Sequence, residues 1–155
     1  MSSLLLIDGN SLTYRAFFAL PADMATSSGQ VTNAVFGFAS MLATLLRDHD
    51  PRGVAVAFDL PGLTFRHEKL ASYKANRERQ PDILYEQLDL VRELVMALGL
   101  WAVDAEGFEA DDVIATLATM ARDSGRDVLV VTGDRDAYQL VEDPHIRVLY
   151  NKRGV

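Results

Sequence analysis

Acidic side chains recur directly after short apolar runs along this 155-residue chain. A single aspartate follows each of the first two runs, and a cluster of acids follows each of the next two. The set comprises Asp8, Asp59, Glu109, Asp111, Asp112, Asp134 and Asp136. Carboxylates brought close together repel one another, and a hard divalent cation held by carboxylate oxygen and water relieves that repulsion. The pattern therefore predicts a divalent-metal site.

Basic side chains concentrate in one irregular segment, residues 60–81, which has no sustained apolar period. Residues 66–79 carry five Lys or Arg against two Glu, a net charge of +3. The basic residues are Arg66, Lys69, Lys74, Arg77 and Arg79, and Tyr73 lies among them. We interpret the segment as a mobile arm that grips phosphate, with Tyr73 able to stack on a base. For residues 60–81, the alternative is a solvated, salt-bridged loop. Outside this segment, Arg15 is another basic group, near the first acid, that could contact phosphate.

The elements that must position these groups alternate along the chain. Short, nearly unbroken apolar runs predict buried parallel strands at Leu4–Ile7, Val54–Phe58, Leu100–Val103, Val128–Val131 and, more weakly, Ile146–Tyr150. Apolar residues spaced at helical intervals predict helices over Asn33–Asp48, Asp82–Leu98 and Ala110–Arg122, and a further helix after Asp8. This alternation predicts an α/β fold with a parallel sheet, whose strands place all seven acids at one edge.

Composition limits the class of protein. Apolar residues make up 49% and charged residues 24%, which is typical of one globular domain, and the net charge of −7 argues against a polycationic nucleic-acid coat. The absence of cysteine excludes disulfides, cysteine-bound zinc and thiol catalysis. No targeting signal or membrane span is visible, so we expect a cytoplasmic protein. His49, His67 and His145 have no metal-ligand spacing.

A second interpretation of the acids stays open at this point. Aspartate is common at helix N-termini and in turns, so each member of the set also fits a capping or solvated role. We assign that role outright to Asp104, Glu106, Asp123 and Asp127. Trp101 is expected in the core or at the edge of the third strand.

Six motifs in order resemble a known family. They are LLLIDGNSLTYRAFFALP, TNAVFGF, VAFD, TFRHEKLASYKANR, GFEADD and TGDRDAYQLV. Together they resemble the N-terminal part of the bacterial 5′-3′ exonucleases, which include the 5′-nuclease domain of DNA polymerase I and, more distantly, the flap endonucleases. The resemblance extends over essentially the whole chain.

The resemblance implies a PIN-like three-layer α/β fold, with a central, mainly parallel five-stranded sheet flanked by helices. It implies that the seven acids hold Mg²⁺ or Mn²⁺ in a two-metal site. It assigns Lys74 and Arg77 to a helical arch that contacts the scissile phosphate, and Arg15 to a phosphate contact. The implied reaction is hydrolysis of DNA at 5′ flaps, nicks and branched or single-strand/duplex junctions, by a monomer near the bacterial nucleoid.

The family also predicts what residues 1–155 lack. Its members continue into a helix-hairpin-helix module that grips duplex DNA and into aspartates that complete the second metal site, and a polymerase domain follows in some. We therefore expect a fragment whose second metal site is incomplete and which can be inactive when isolated. Three other hypotheses remain: a PIN-type ribonuclease, a non-catalytic metal- and DNA-binding module, and a receiver-like phosphoacceptor domain.

Overall fold

Strands and helices alternate along the chain. A computed structural model describes residues 3–60, 82–142 and 145–150, without the side chains of Arg135 and Asp136. The elements are β1 (Leu4–Asp8), α1 (Gly9–Ala19), α2 (Asn33–His49), β2 (Gly53–Ala57), α3 (Asp82–Ala97), β3 (Trp101–Val103), α4 (Ala110–Asp123), β4 (Val128–Thr132), a 3-10 helix (Arg135–Leu140) and β5 (Ile146–Tyr150). The predicted strands and helices are confirmed, with end points within about one residue, which is the usual uncertainty of such boundaries.

The five strands form one parallel sheet in the order β3-β2-β1-β4-β5. The central strand is β1, from which the chain first builds outward through β2 and β3 and then returns to place β4 on the other side. The carboxyl ends of β1 and β4 therefore border a topological switch point, the position where open α/β sheets bind ligands.

The two faces of the sheet are covered differently. Alternate residues of β1 point to opposite faces, so Leu5 and Ile7 pack beneath α1, α2 and α3, while Leu6 packs beneath α4. The α4 face is lined largely by small side chains, which allow the helix to lie close to the sheet. These small side chains are Ala55, Ala57, Ala110, Ala118 and Ala121.

A buried polar pair joins the three helices on the first face. Gln87 of α3 accepts hydrogen bonds from the Ala34 and Val35 N–H groups at the start of α2, at 2.7 and 3.2 Å. Its amide also donates to Asn33 Oδ1 at 2.8 Å, and Asn33 in turn donates to the Phe17 carbonyl of α1 at 2.9 Å. Both side chains are fully buried. Gln87 thus caps α2 from a neighbouring helix, since no side chain at Thr32 does so.

Two apolar side chains near the third strand face solvent. Leu98, the last residue of the predicted helix Asp82–Leu98, is 54% exposed. The reason is that α3 ends at Ala97 and Gly99 turns the chain at φ 77°, placing Leu98 beyond the last helical turn. Trp101 is 70% exposed at the start of the edge strand β3, as the edge-strand expectation allows.

The described helices are short relative to a lipid bilayer. The longest, α2, has 17 residues and carries Arg47 and Asp48 in its last turn, whereas a membrane-spanning helix needs about 20 mostly apolar residues. Within the ranges given above, no helix is long and apolar enough to cross a membrane.

Replacing Gln87 with leucine should destabilise the fold. The Gln87→Leu change leaves the Ala34 and Val35 N–H groups and Asn33 Oδ1 buried without their partner, which should lower the free energy of unfolding by about 2–4 kcal/mol. Urea denaturation measures this loss. Glu86→Leu, at an exposed neighbouring position on α3, is the control and should stay within about 0.5 kcal/mol of the wild type. Equal stability of the two variants would contradict the capping role.

Candidate metal centre

The predicted acids lie at the carboxyl edge of the sheet, beside the switch point. Asp8 is the last residue of β1, Asp59 lies just beyond β2, and Asp134 lies just beyond β4. Glu109 and Asp111 flank the first residue of α4. Asp8 and Glu109 are only 4% and 5% exposed. Parallel pairing brings these groups to one place, because it aligns the carboxyl ends of β1, β2 and β4.

Asp8 is buried and closely hydrogen-bonded. Its Oδ1 accepts the N–H of Ser11 at 3.1 Å, which caps α1, and its Oδ2 accepts the hydroxyl of Thr132 at 3.0 Å. Burial is the largest influence and raises the pKa of Asp8, while the bonds from Ser11 and Thr132 lower it and the negative charge of Asp59 raises it. The hydrogen bonds therefore stabilise the carboxylate form against loss of hydration.

Asp59 joins the first helix to the fourth. Its own N–H donates to Asn10 Oδ1 at 3.0 Å, and its Oδ1 accepts the N–H of Ala110 at 2.6 Å. Ala110 is the first residue of α4, where backbone N–H groups lack partners within the helix. The Asp59 carboxylate thus sits at the positive end of the α4 dipole, which favours negative charge.

Asp111 lies where the negative charges meet. Burial, followed by the charges of Asp8, Asp134, Asp59 and Glu109, raises its pKa to about 7. A small cleft of about 40 Å³ opens beside it, lined by polar Thr132 and Gln139 and by apolar side chains, which is room enough for a water molecule. Four carboxylates therefore act on Asp111, and a cation bound beside it would offset their repulsion.

Close approach at Gly9 sets the spacing of the first two acids. A Cβ built on Gly9 would lie 2.6 Å from the ring of Phe58 and 2.9 Å from Val56. Only glycine therefore lets the start of α1 pack against the end of β2. Because Asp8 precedes Gly9 and Asp59 follows Phe58, this contact holds the two acids side by side.

The capping interpretation of the acids is also partly right. Asp8 caps α1, and Asp112 Oδ2 accepts the N–H of Glu109 at 3.0 Å at the start of α4. The structure brings Asp8, Asp59, Glu109, Asp111 and Asp134 into one electrostatic cluster, hereafter the acidic cluster. Asp112 lies at its border as a cap, and the side chain of Asp136 lies outside the description. The segment bearing Asp136 is a 3-10 helix of six residues.

Of the residues predicted to contact DNA, the structure describes only Arg15. Arg15 donates to the Gly133 carbonyl at 2.9 Å and to the Tyr150 hydroxyl at 3.2 Å, and its guanidinium lies over the Tyr150 ring. It therefore supports the turn after β4, and its contact with phosphate stays a prediction. The remaining basic or aromatic candidates lie outside the described residues; these are Arg66, Lys69, Tyr73, Lys74, Arg77 and Arg79.

Three polar residues of the site escape the sequence pattern. Asn10 holds the Asp59 main chain, and Ser11 and Thr132 bind the Asp8 carboxylate. The contact of Ser11 had a local signal, because an aspartate at a helix N-cap accepts the backbone N–H of the residue two or three positions later. Asn10 and Thr132 had none, since each contacts a residue on another strand or loop.

The chemistry of the donors fits a hard divalent cation. The acidic cluster offers carboxylate oxygens, the ligands that Mg²⁺ and Mn²⁺ prefer. Within residues 3–60, 82–142 and 145–150, however, no three acidic or histidine side chains are arranged as a finished cage for one ion. Several oxygens of the described carboxylates already accept hydrogen bonds from backbone N–H groups and a hydroxyl, and each such oxygen keeps a second lone pair for a metal ion.

Known proteins of similar sequence include DNA polymerase I from several bacteria. A DNA polymerase I from Mycobacterium bovis is 53% identical over 154 residues, which is 99% of this chain and 17% of that protein. A DNA polymerase I from Bacillus caldotenax is 47% identical over 98% of this chain and 17% of its own length. The chain thus spans about a sixth of the length of these curated relatives.

Solved structures share the fold. A bacteriophage T5 5′-exonuclease with bound zinc superposes with a TM-score of 0.74 at 21% identity, over 95% of this chain and 54% of the other. The catalytic core of Rad2 bound to a DNA substrate gives 0.57 at 20% identity, over 97% and 44%. The expected PIN-like architecture is confirmed by these matches. The model of the 5′-3′ exonuclease N-terminal resolvase-like domain matches residues 3–155, and the chain therefore belongs to that family.

Proposed function

We propose that this chain forms the metal-binding part of a structure-selective 5′ nuclease, which hydrolyses DNA phosphodiester bonds at 5′ flaps, nicks and junctions with Mg²⁺ or Mn²⁺. The single observation that carries the proposal is the acidic cluster at the switch point. Five carboxylates from three strand ends and one helix start meet there, and four of them act on Asp111. A like-charge cluster of this size, with Asp8 and Glu109 buried, is costly unless positive charge offsets the repulsion, and a divalent cation supplies such charge.

The chain's own residues would divide the work. Asp8, Asp59, Asp111 and Asp134 are the proposed metal ligands, with Glu109, Asp112 and Asp136 completing the predicted set. Bound divalent ions would supply Lewis-acid stabilisation of the phosphate and a more reactive water at neutral pH. Lys74 and Arg77 are proposed to contact the scissile phosphate, where their charge would stabilise the transition state. This chemistry requires no covalent nucleophile.

The relatives support DNA as the substrate. Their name, DNA polymerase I, denotes an enzyme of DNA synthesis, and one structural neighbour from bacteriophage T5 is described as a flap endonuclease in a complex with DNA and metal ions. Cleavage of DNA, action as a monomer and linkage to a polymerase domain are parts of the proposal, because the chain spans only about a sixth of those relatives.

A second candidate function is binding of metal and DNA without cleavage. It is favoured by one observation: in the described part of the chain, no three potential ligands form a finished cage. Both candidates require a divalent cation to bind at the acidic cluster. Only turnover of DNA therefore distinguishes them.

Replacing one acid should separate these functions. With Mg²⁺ or Mn²⁺, a longer protein that contains these residues is expected to cut 5′-flap DNA in preference to RNA of equal length. In that protein Asp134→Asn should slow cutting by about 100-fold or more, as loss of a transition-state electrostatic contact does. Gel analysis of end-labelled substrates measures the rate. Asp127→Asn is the matched control and should cut at the wild-type rate, because Asp127 is a half-buried acid that pairs with His145 away from the acidic cluster.

Other results would revise the proposal in defined ways. Undiminished cutting by Asp134→Asn would refute the metal role of that acid. Faster cutting of RNA would favour the ribonuclease alternative. Binding of Mn²⁺ in calorimetry without cutting of either substrate would establish the non-catalytic candidate.

The stability of the metal-free chain should depend on pH through Asp111. Its native pKa is about 7, whereas an unfolded aspartate titrates near about 4. The native state therefore holds a proton that the unfolded state releases, so this contribution to stability is full below about pH 4 and is lost as the pH rises to about 7. Asp111→Asn should stabilise the EDTA-treated chain more at about pH 7.5 than at about pH 5.

Urea denaturation at the two pH values measures this difference. Mn²⁺ should replace the lost proton, so its stabilising effect on the wild type should be larger at about pH 7.5 than at about pH 5. An Asp111→Asn variant whose stability relative to wild type is the same at both pH values would show that the acidic cluster does not perturb Asp111.

A further inference from the structure

We propose that Thr132 is a positioning residue of the metal centre: its hydroxyl joins the Asp8 carboxylate to the Asp134 main chain across the switch point and so sets the affinity for a divalent cation. The inference rests on the proposed metal role of the acidic cluster. It goes beyond that role because Thr132 is assigned no contact with the metal itself. Thr132 is the last residue of β4 and is 1% exposed.

The direction of each hydrogen bond follows from its partners. The N–H of Asp134 donates to Thr132 Oγ1 at 3.0 Å, and Thr132 Oγ1 lies 3.0 Å from Asp8 Oδ2. A carboxylate only accepts, so the single proton of the Thr132 hydroxyl goes to Asp8. The Thr132 hydroxyl thus contacts the side chain of one proposed ligand, Asp8, and the main chain of the other, Asp134.

Ser11 completes the set of partners. Its hydroxyl lies 3.3 Å from Thr132 Oγ1 and accepts the N–H of Gly133 at 2.9 Å. The Thr132 proton is used by Asp8, so the single Ser11 proton is shared between Thr132 Oγ1 and the Asp8 carbonyl, which lies 3.5 Å from Ser11 Oγ. Thr132 Oγ1 accepts the Asp134 N–H and donates to Asp8, and these two bonds orient the hydroxyl between the two acids.

Contacts from α1 hold the turn that carries this hydroxyl. Ser11 and Arg15 lie one helical turn apart, and they contact the N–H and the carbonyl of Gly133, respectively. A Cβ on Gly133 would lie 2.9 Å from Arg15 Nε, so a larger residue would displace the Arg15 side chain from this contact. The turn between Thr132 and Asp134 is therefore held, through both the N–H and the carbonyl of Gly133, by the helix that Asp8 caps.

Threonine suits position 132 better than valine or serine, the two residues of most similar shape. Branching at Cβ restricts χ1, so the hydroxyl is already aimed before a ligand binds. Valine keeps the shape but leaves Asp8 Oδ2 and the Asp134 N–H without that partner in a buried place. Serine keeps the hydroxyl and loses only a methyl group. The pair of variants thus separates the hydrogen bonds from the packing.

The test measures Mn²⁺ binding by calorimetry in the 155-residue chain. Thr132→Val should weaken Mn²⁺ binding by about 10- to 100-fold, the usual cost of losing an outer partner of metal ligands, and Thr132→Ser should restore it to within about threefold of wild type. Thr13→Val is the matched control, because Thr13 is also buried and its hydroxyl donates to the Gly9 carbonyl within α1. It should bind Mn²⁺ as the wild type does.

A second readout needs no metal. In EDTA, amide hydrogen exchange of Asp134 followed by NMR should be faster in Thr132→Val than in wild type, because its acceptor is gone, and near the wild-type rate in Thr132→Ser. If Thr132→Val does not fold, Ser11→Ala replaces it and should show a smaller loss of Mn²⁺ affinity in the same direction.

The outcomes distinguish this inference from the function on which it rests. Wild-type protein that binds no Mn²⁺ would overturn the metal centre and this inference together. Wild-type protein that binds Mn²⁺, with Thr132→Val equal to it, would overturn the positioning role alone. A Thr132→Ser variant as weak as Thr132→Val would also overturn it, because the hydroxyl would then not be the cause.

Discussion

Asp8 loses almost all of its hydration at the end of the central strand, and the surrounding architecture compensates for that loss. Burial raises its pKa, whereas the Ser11 N–H and the hydroxyls of Ser11 and Thr132 act in the opposite direction. These donors come from the first turn of α1 and from the end of β4, so the charge of Asp8 depends on both elements being in place. Folding of the sheet and assembly of the site are therefore one process.

The same carboxylates act as structural caps and as members of the acidic cluster. Asp59 accepts the first N–H of α4, and Asp112 accepts the N–H of Glu109 beside it. A helix N-terminus favours negative charge, which offsets part of the repulsion among the acids. The offset is incomplete at Asp111, whose pKa of about 7 reflects burial and four negative neighbours. A divalent cation is the partner that such a residual imbalance favours.

Rigidity at the site arises from polar contacts between elements far apart in the chain. Asn10 holds Asp59, Ser11 and Arg15 hold the Gly133 turn, and on the helical face Gln87 holds the start of α2. Glycine permits two of the close approaches, at Gly9 and Gly133. Buried hydrogen bonds of this kind cost little while all partners are present and much when one is removed, so they favour a single arrangement of the acids.

The amino-acid sequence alone determined the elements and the edge at which the acids gather. Apolar periodicity marks the strands and helices to within about one residue, and parallel strands necessarily align the acids that follow them. It also determined the net charge of +3 over residues 66–79. The contact of Lys74 and Arg77 in that segment with phosphate stays a prediction. These features depend on neighbours along the chain, which periodicity and composition record.

Only the tertiary structure decided which acids are neighbours and what orients them. The order β3-β2-β1-β4-β5 puts Asp134 beside Asp8, and it brings Thr132 to Asp8 across 124 positions of sequence. It also assigns Arg15 to Gly133 and Tyr150, and Gln87 to the start of α2. A hydrogen bond between distant residues leaves no periodic trace in either segment, because it depends on strand order and on the close approach of backbones.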